Sequence, residues 1–252
     1  MLALGLSIAL ARMGGRPEQW VGPALRALWD AERIGSLQLA GSNVTAWTDV
    51  AGGHVMSQPV SASKPLWVAN GFGGRPGLLF DGTDDFLNLE AVPFPTGSAA
   101  SEIWVLADWL MPVTDTATRT LVGYGGIGTA DSRRVQRGAV GGRNVARIAV
   151  GTGTSAQSIS DGSDYGGRHL ARGVFGPVSR IVVDGTGGAS NGDAPNSGTV
   201  RSRIGARTSV AVVEHAHAMF SAVAIIDPAE PGWDEAKAAR LTAWMLRRKG
   251  AG

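Results

Sequence analysis

The chain has 252 residues, 44% of them hydrophobic and 17% charged, with 37 Gly, eight Trp and no Cys. This composition excludes a wholly disordered chain, and the lack of Cys excludes disulfides, thiol nucleophiles and Cys-ligated zinc. Net charge is +2 but unevenly placed: between Arg119 and Arg207 there are twelve Arg against five acids, while the rest carries 11 basic and 16 acidic residues.

The first stretch, Leu2 to Ala11, places Leu2, Leu4, Leu6, Ile8 and Leu10 at spacing two. It resembles the core of a signal peptide, yet no basic residue precedes it and Arg12 follows. The alternation fits an extended apolar arm able to add to a sheet edge of another subunit; Leu and Ala also favour helix. No stretch reaches the roughly 18 consecutive apolar residues of a membrane-spanning helix. Arg12 to Pro17 reads as a joint, giving an arm over 1–18 and one domain over 19–252.

Within that domain, Leu25–Ala31 and Asn43–Asp49 read as strands, the second alternating before Gly52-Gly53 stops it. A polar loop runs to Trp67, and Gly73 to Gly77 form a turn. The organising stretch follows: Leu78 and Phe80 share one face, Asp81-Gly82 turns the chain, and Leu87 and Leu89 share a face on the return, the pattern of a strand, tight turn and strand. Ser101–Met111 is apolar on both faces, which predicts a central strand covered on both sides. Further strands are expected over Thr120–Tyr124, Arg134–Val140, Asn144–Val150, Arg168–Phe175, Val178–Asp184, Val200–Ala206 and Ala216–Ile226. Residues 151–167 read as a long loop or ragged hairpin, and Gly185–Ser197 as a loop. Asp227 to Glu230 have a capping-box pattern that Pro231 cuts short. A helix then runs from about Asp234 to Arg248 with Ala238, Leu241, Trp244 and Met245 on its apolar face, and Lys237, Arg240, Arg247 and Lys249 pointing away or gathered at its C-terminal end.

Two runs carry a resemblance. Trp47-Thr48-Asp49-Val50-Ala51-Gly52 is similar to the W-x-D-x-S-G strand of concanavalin A-like, laminin-G-type jelly rolls, with Ala51 in place of Ser. Pro76-Gly77-Leu78-Leu79-Phe80-Asp81-Gly82-Thr83-Asp84-Asp85-Phe86-Leu87 resembles their P-x-L-x-F-D-G-x-D-D-Y-L segment. The strand ending at Ile226, then Asp227 and the terminal helix, is similar to the family's close, with Pro231-Gly232 where the helix usually begins. The resemblance spans most of residues 25–248 and implies an all-β jelly-roll sandwich with an apolar N-terminal arm and a C-terminal helix. Versions with such an arm, in Arg- and Ala-rich sequences, resemble bacteriophage tail-fibre, spike or decoration proteins. This implies a virion location and virion subunits or further copies of the chain as partners.

The chemistry on offer is sparse. A retaining glucanase of the related group needs an E-x-D-x-x-E cluster that sets two carboxyls about 5 Å apart. No such spacing occurs, and Glu214, Glu230 and Glu235 do not supply one, so no catalytic residues and no enzyme are expected. His215 and His217 share a strand face at a spacing that can ligate metal, but no third ligand is local. Gly123 to Gly128 satisfies G-x-G-x-x-G, yet it leads to a strand and reads as a glycine turn. Asp81, Asp84 and Asp85 suit either Asx-type turn bonds or Ca²⁺, as in some laminin-G-type domains; no cofactor is otherwise implied.

Among the aromatics, Trp29, Trp47, Trp104 and Trp244 fall on core-like patterns. Trp67, Trp109, Tyr124 and Tyr165 are less constrained and so are candidates to stack on sugar rings. Tyr165, with Asp161 and Asp164 in its loop and Trp67 elsewhere, is the expected glycan contact. The Arg-rich middle reads either as solvated strand faces or as a basic surface for an acidic glycan, nucleic acid or neighbouring subunit. It has few interleaved aromatics, so nucleic acid is not expected. Three functions remain: a non-enzymatic adhesion protein of a phage-like particle, its arm anchoring a glycan-binding sandwich; a secreted or cell-surface carbohydrate-binding module as the alternative; and, behind both, a glycan hydrolase.

Overall fold

The computed structural model describes residues 15–110, 115, 117–128, 130–140, 143–151, 156–160, 166–191 and 195–250. The arm residues Leu2, Leu4, Leu6, Ile8 and Leu10 lie outside these, as do Asp161, Asp164 and Tyr165. Among the described residues are seventeen strands, a short helix α1 (Pro17–Trp20) and a C-terminal helix α2 (Glu235–Lys249). Every strand pairing is antiparallel, and the strands form one continuous sheet that folds into two layers joined at the Asn43–Leu66 pair.

The back sheet is built around β17 (His217–Ile226) and β8 (Ser101–Trp109), which pair along most of their length. Beyond β8 follow β13 (Gly167–Phe175), β14 (Ser179–Val183) and β15 (Thr186–Asn191). On the other side of β17 lie β6 (Arg75–Asp81) and β1 (Leu25–Asp30), end to end, and β5 (Leu66–Phe72) pairs with β6. The front sheet runs β12 (Ala156–Ser160), β11 (Arg143–Gly151), β10 (Ser132–Val140), β9 (Arg119–Gly125), β16 (Arg201–Ile204), β7 (Leu87–Leu89), β4 (Val55–Ser57), β3 (Asn43–Thr48) and β2 (Leu37–Ala40).

Strand alternation explains the layering, because residues two apart share a face. Ile103, Val105, Ala107 and Trp109 of β8 face the core between the sheets, with Trp29, Trp47, Phe80, Val122, Ile148 and Phe220. Trp104 and Leu106 face the other way, into a second core with Leu28, Met219, Ala238, Leu241 and Met245. Helix α2 therefore roofs the outer face of the back sheet, and β8 is the doubly covered strand its sequence predicts. Asp234 caps that helix, its carboxylate accepting from the Lys237 N–H at 2.8 Å, as Asp at an N-cap should.

Several expectations need correction. The organising stretch is not a hairpin. β6 and β7 lie in different sheets, so Asp81–Phe86 carries the chain from back to front. Asp81 Oδ1 accepts from the N–H groups of Thr83, Asp84 and Asp85, and Gly82 turns with φ +80° where a Cβ would lie 2.7 Å from His217 Cβ. Gly185–Ser197 contains β15, folded onto β14 by the Asp184-Gly185 turn, whose φ angles of +51° and +83° suit a two-residue hairpin. The polar loop before Trp67 contains β4, and Leu66 and Trp67 already belong to β5. Nor do all the helix's basic residues point away: Lys237 Nζ donates to Val21 O, Arg240 stacks on Trp20, and Lys249 binds Asp184 at 2.7 Å.

Candidate functional site: an arginine-lined sheet face

The outer face of the front sheet carries arginines. Register places Asn88, Arg203, Gly123, Arg134 and Ala149 in one cross-strand row, and Thr120 or its neighbour, Gln136 and Arg147 in the next. Facing residues in adjacent strands lie on the same side. Arg134 lies flat over Gly123, where a Cβ would approach its Cγ to 2.8 Å, so only glycine admits it there. Five arginines (Arg134, Arg147, Arg201, Arg203 and Arg207) gather here with three acids: Glu90 pairs with Arg201, Glu214 pairs with Arg134 and Arg207, and Asp131 lies near Arg134.

Each arginine is held. Arg201 grips Glu90 with Nε and Nη2, both at 2.8 Å. Arg203 is held by neutral acceptors: Nε donates to Asn88 Oδ1 at 3.0 Å, and Nη1 to Arg207 O and Ser209 O at 2.6 and 2.8 Å. Its guanidinium also lies 5.0 Å from the centre of the Phe86 ring. Glu214 accepts from Thr120 Oγ1 at 2.6 Å and Gln136 Nε2 at 2.8 Å, and pairs with Arg207 at 3.3 Å and Arg134 at 3.6 Å. Burial, then the positive neighbours Arg207 and Arg147, bring the Arg134 guanidinium down to about 10. Burial and then Arg201 do the same to Arg203. Both stay charged at pH 7, so the face holds an excess of positive charge in partly desolvated surroundings, where an anion is attracted more strongly than in open water.

The residues nominated from the sequence are placed differently. Trp67 is half-buried against the main core. Trp109 and Tyr124 are buried, Tyr124 donating its hydroxyl to Ser101 Oγ at 2.6 Å, so neither is a free stacking surface. Trp29, Trp47 and Trp104 are core residues as expected, and Trp244 is half-buried beneath Arg248. His215 lies two residues before His217, the first residue of β17. The carboxylates of Asp81, Asp84 and Asp85 approach within 4.8 Å of one another, and the Asp81 bonds are the Asx type expected of the turn. The arginine face left a signal in the sequence. That signal is the charge imbalance between Arg119 and Arg207, which the pairing register gathers onto one face.

Solved structures share this layered arrangement. Domain 4 of AbnA, a GH43 extracellular arabinanase from Geobacillus stearothermophilus solved with arabinotriose, aligns with TM-score 0.56 and 9% identity over 81% of this chain and 92% of that one. The binding domain of Paraclostridial Mosquitocidal Protein 1 aligns with TM-score 0.59 and 8% identity over 90% of this chain and 52% of that one. The fold is a jelly-roll β-sandwich. A Trypanosoma rangeli sialidase aligns with TM-score 0.52 and 12% identity over 91% of this chain, which spans 34% of the sialidase. At such identities the likeness is one of fold. No family profile matches the chain, and no curated protein does.

Proposed function

We propose that this jelly roll is a non-enzymatic adhesion module that binds an acidic surface polysaccharide through the outer face of its front sheet. The observation that carries the reading is the asymmetry of the sandwich: α2 and its apolar cluster roof one outer face, while the other carries five arginines against three acids, with Arg147, Arg201 and Arg207 partly exposed over the buried Arg134 and Arg203. A shallow sheet face suits an extended chain of sugars, and guanidinium groups suit its carboxylate or sulfate substituents. The arabinotriose bound to the arabinanase domain supports a saccharide as the class of ligand.

A binding rather than hydrolytic role fits Glu90 and Asp85, while Asp108, raised by burial, lies in the back sheet opposite Arg168 and away from the arginine face. A glycosidase general acid needs a raised pKa. Glu90 is lowered instead: burial pushes it up, but bonds from Arg201 and Asn88 outweigh that. Asp85 is raised to about 6, first by burial, yet it is 5% exposed and its Oδ2 accepts from the Asp81 N–H. It offers no face to a sugar. In this reading the apolar arm fixes the module to a neighbouring subunit of a phage-like particle, and the same sandwich on a cell surface would bind its ligand identically.

Binding to acidic and neutral polysaccharides, measured across a salt series, tests the reading. Acidic chains should bind with affinity that falls steeply with salt. The double variant Arg201→Ala/Arg207→Ala should lose on the order of tenfold and show a shallower salt dependence, with no reducing ends released by either protein. Equal binding to neutral chains, or none to acidic chains at low salt, sinks it. A chain lacking residues 2–14 should keep the glycan affinity and lose retention on particles.

A further inference from the structure

Glu214 stands out on the arginine face. Of the described residues other than glycine, only Glu214 and Asp184 have a left-handed backbone, and Asp184 is explained by its hairpin turn. Glu214 has φ +58° at the end of the loop joining β16 to β17, a conformation that a side chain of its length rarely adopts. What holds it there is its carboxylate. Oε2 accepts from Thr120 Oγ1 and Gln136 Nε2, with Arg134 Nη1 beyond, while Oε1 meets Arg207 Nη1. Thr120 also donates its backbone N–H to Glu214 O at 2.8 Å. Thr120 and Gln136 are buried in a sheet face, where polar side chains cost free energy unless they are bonded, and Gln136 donates to Thr120 as well. Two neutral donors and two guanidiniums thus converge on one planar, two-oxygen acceptor.

We propose that Thr120, Gln136, Arg134 and Arg207 form a receptor for the carboxylate of an acidic sugar, and that Glu214 is its internal occupant, displaced when a uronate-type unit binds. The proposal rests on the glycan reading above and narrows its ligand to carboxylated rather than sulfated chains. A sugar carboxylate presents the same planar pair of oxygens as Glu214; a sulfate presents a tetrahedral set. The loop is tied down at its base, where Arg203 holds Arg207 O and Ser209 O and where Thr208 Oγ1 donates to Gly126 O. Its far half bears the outward Val210, 71% exposed, and Val213. Displacement breaks the bonds from the Arg207 N–H to Val213 O and from the Thr120 N–H to Glu214 O that now close this half, and leaving the receptor frees Glu214 from its left-handed conformation.

Calorimetric titration of wild type and Glu214→Gln with oligogalacturonate, and with a sulfated oligosaccharide of equal charge, tests it. The variant should bind oligogalacturonate on the order of tenfold more tightly, a usual size for coupling between competing occupants, with the sulfated chain changed by less than about twofold. An unchanged affinity for oligogalacturonate, or an equal gain for both chains, overturns the proposal and leaves the broader glycan reading standing. If neither protein binds any acidic chain, that broader reading falls, and a second measurement decides the receptor. Glu214→Ala should melt several degrees lower than wild type. Acetate should restore its midpoint beyond chloride at equal ionic strength while leaving wild type unmoved. Equal shifts in both proteins overturn it.

Discussion

Asp85 shows how a single side chain can be structurally placed and electrostatically costly at once. It is buried at the crossing from β6 to β7, and burial, with Asp81 and Asp84 nearby, pushes its carboxyl up to about 6. The folded chain therefore holds the Asp85 proton more tightly than the unfolded chain does. That difference favours folding below pH 4 and is progressively forfeited between about pH 4 and 6, leaving a constant cost above. Asp85→Asn keeps an oxygen for the Asp81 N–H and removes the charge. It should raise the unfolding free energy by up to about 3 kcal/mol at pH 7.5 and change it little at pH 4, as urea denaturation at the two values would show. At this scale the sequence identified the Asp81–Asp85 turn chemistry correctly but could not reveal which carboxyl is enclosed. Nor could it show that Trp109 and Tyr124 face inward, since an aromatic on an alternating strand reads the same on either face until the partner sheet is known.

Among the elements, helix α2 was the most legible and its attachment the least. Its start near Asp234 and its apolar face of Ala238, Leu241 and Met245 follow from the sequence, although the capping pattern there is at Asp227 and the residue that caps the helix is Asp234. The residue that fastens its far end, Arg248, looks in the sequence like one more cation favoured at a helix C-terminus. In the structure its Nη2 donates to both oxygens of Asp30, at 2.7 and 2.9 Å, and meets Glu32 at 2.9 Å. Asp30 is 1% exposed. Arg33 Nε at 3.3 Å and the Glu32 N–H at 3.0 Å also hold Asp30, so losing Arg248 weakens its surroundings without emptying them, at a cost of about 1–3 kcal/mol. Arg248→Ala should lower stability by that amount in denaturant titration, while Arg247→Ala, on the exposed neighbour, should change it by less than about 0.5 kcal/mol. The strands missed in the sequence have a common cause. β15, Thr-Gly-Gly-Ala-Ser-Asn, holds few residues that favour a strand, and it exists because the Asp184-Gly185 turn folds it back on β14. The arginine face escaped notice for a related reason. Its residues are scattered over β9, β10, β11 and β16 and the loop after β16, and only the pairing register gathers them; the charge imbalance alone was visible.

For the molecule as a whole, the two apolar cores are not independent. β8 contributes Ile103 and Val105 to one and Trp104 and Leu106 to the other, and β1 and β17 are divided in the same way. Loosening the helix must therefore disturb the strands that hold the sandwich together. Leu241→Ala, which opens a cavity in the second core, should cost about 2–5 kcal/mol. It should lower the midpoint of a single calorimetric transition rather than split it in two, with calorimetric and van't Hoff enthalpies in agreement. A separate early transition for the helix would show that the roof is a detachable layer.

That roof also sets how the molecule is presented. Val21 and Ala24, just after α1, pack in the helix-side core, and Arg240 of α2 lies 4.2 Å from the ring centre of Trp20. Both ends of the described chain thus lie on the back. A tether at Gly15 or Gly250 would hold the molecule from behind, with the arginine-bearing sheet on the opposite side, where Arg147, Arg201 and Arg207 are partly exposed. Many copies side by side on one support would point the same charged surface at a facing wall of polysaccharide. Contacts too weak to hold one copy would then add into a grip that releases slowly.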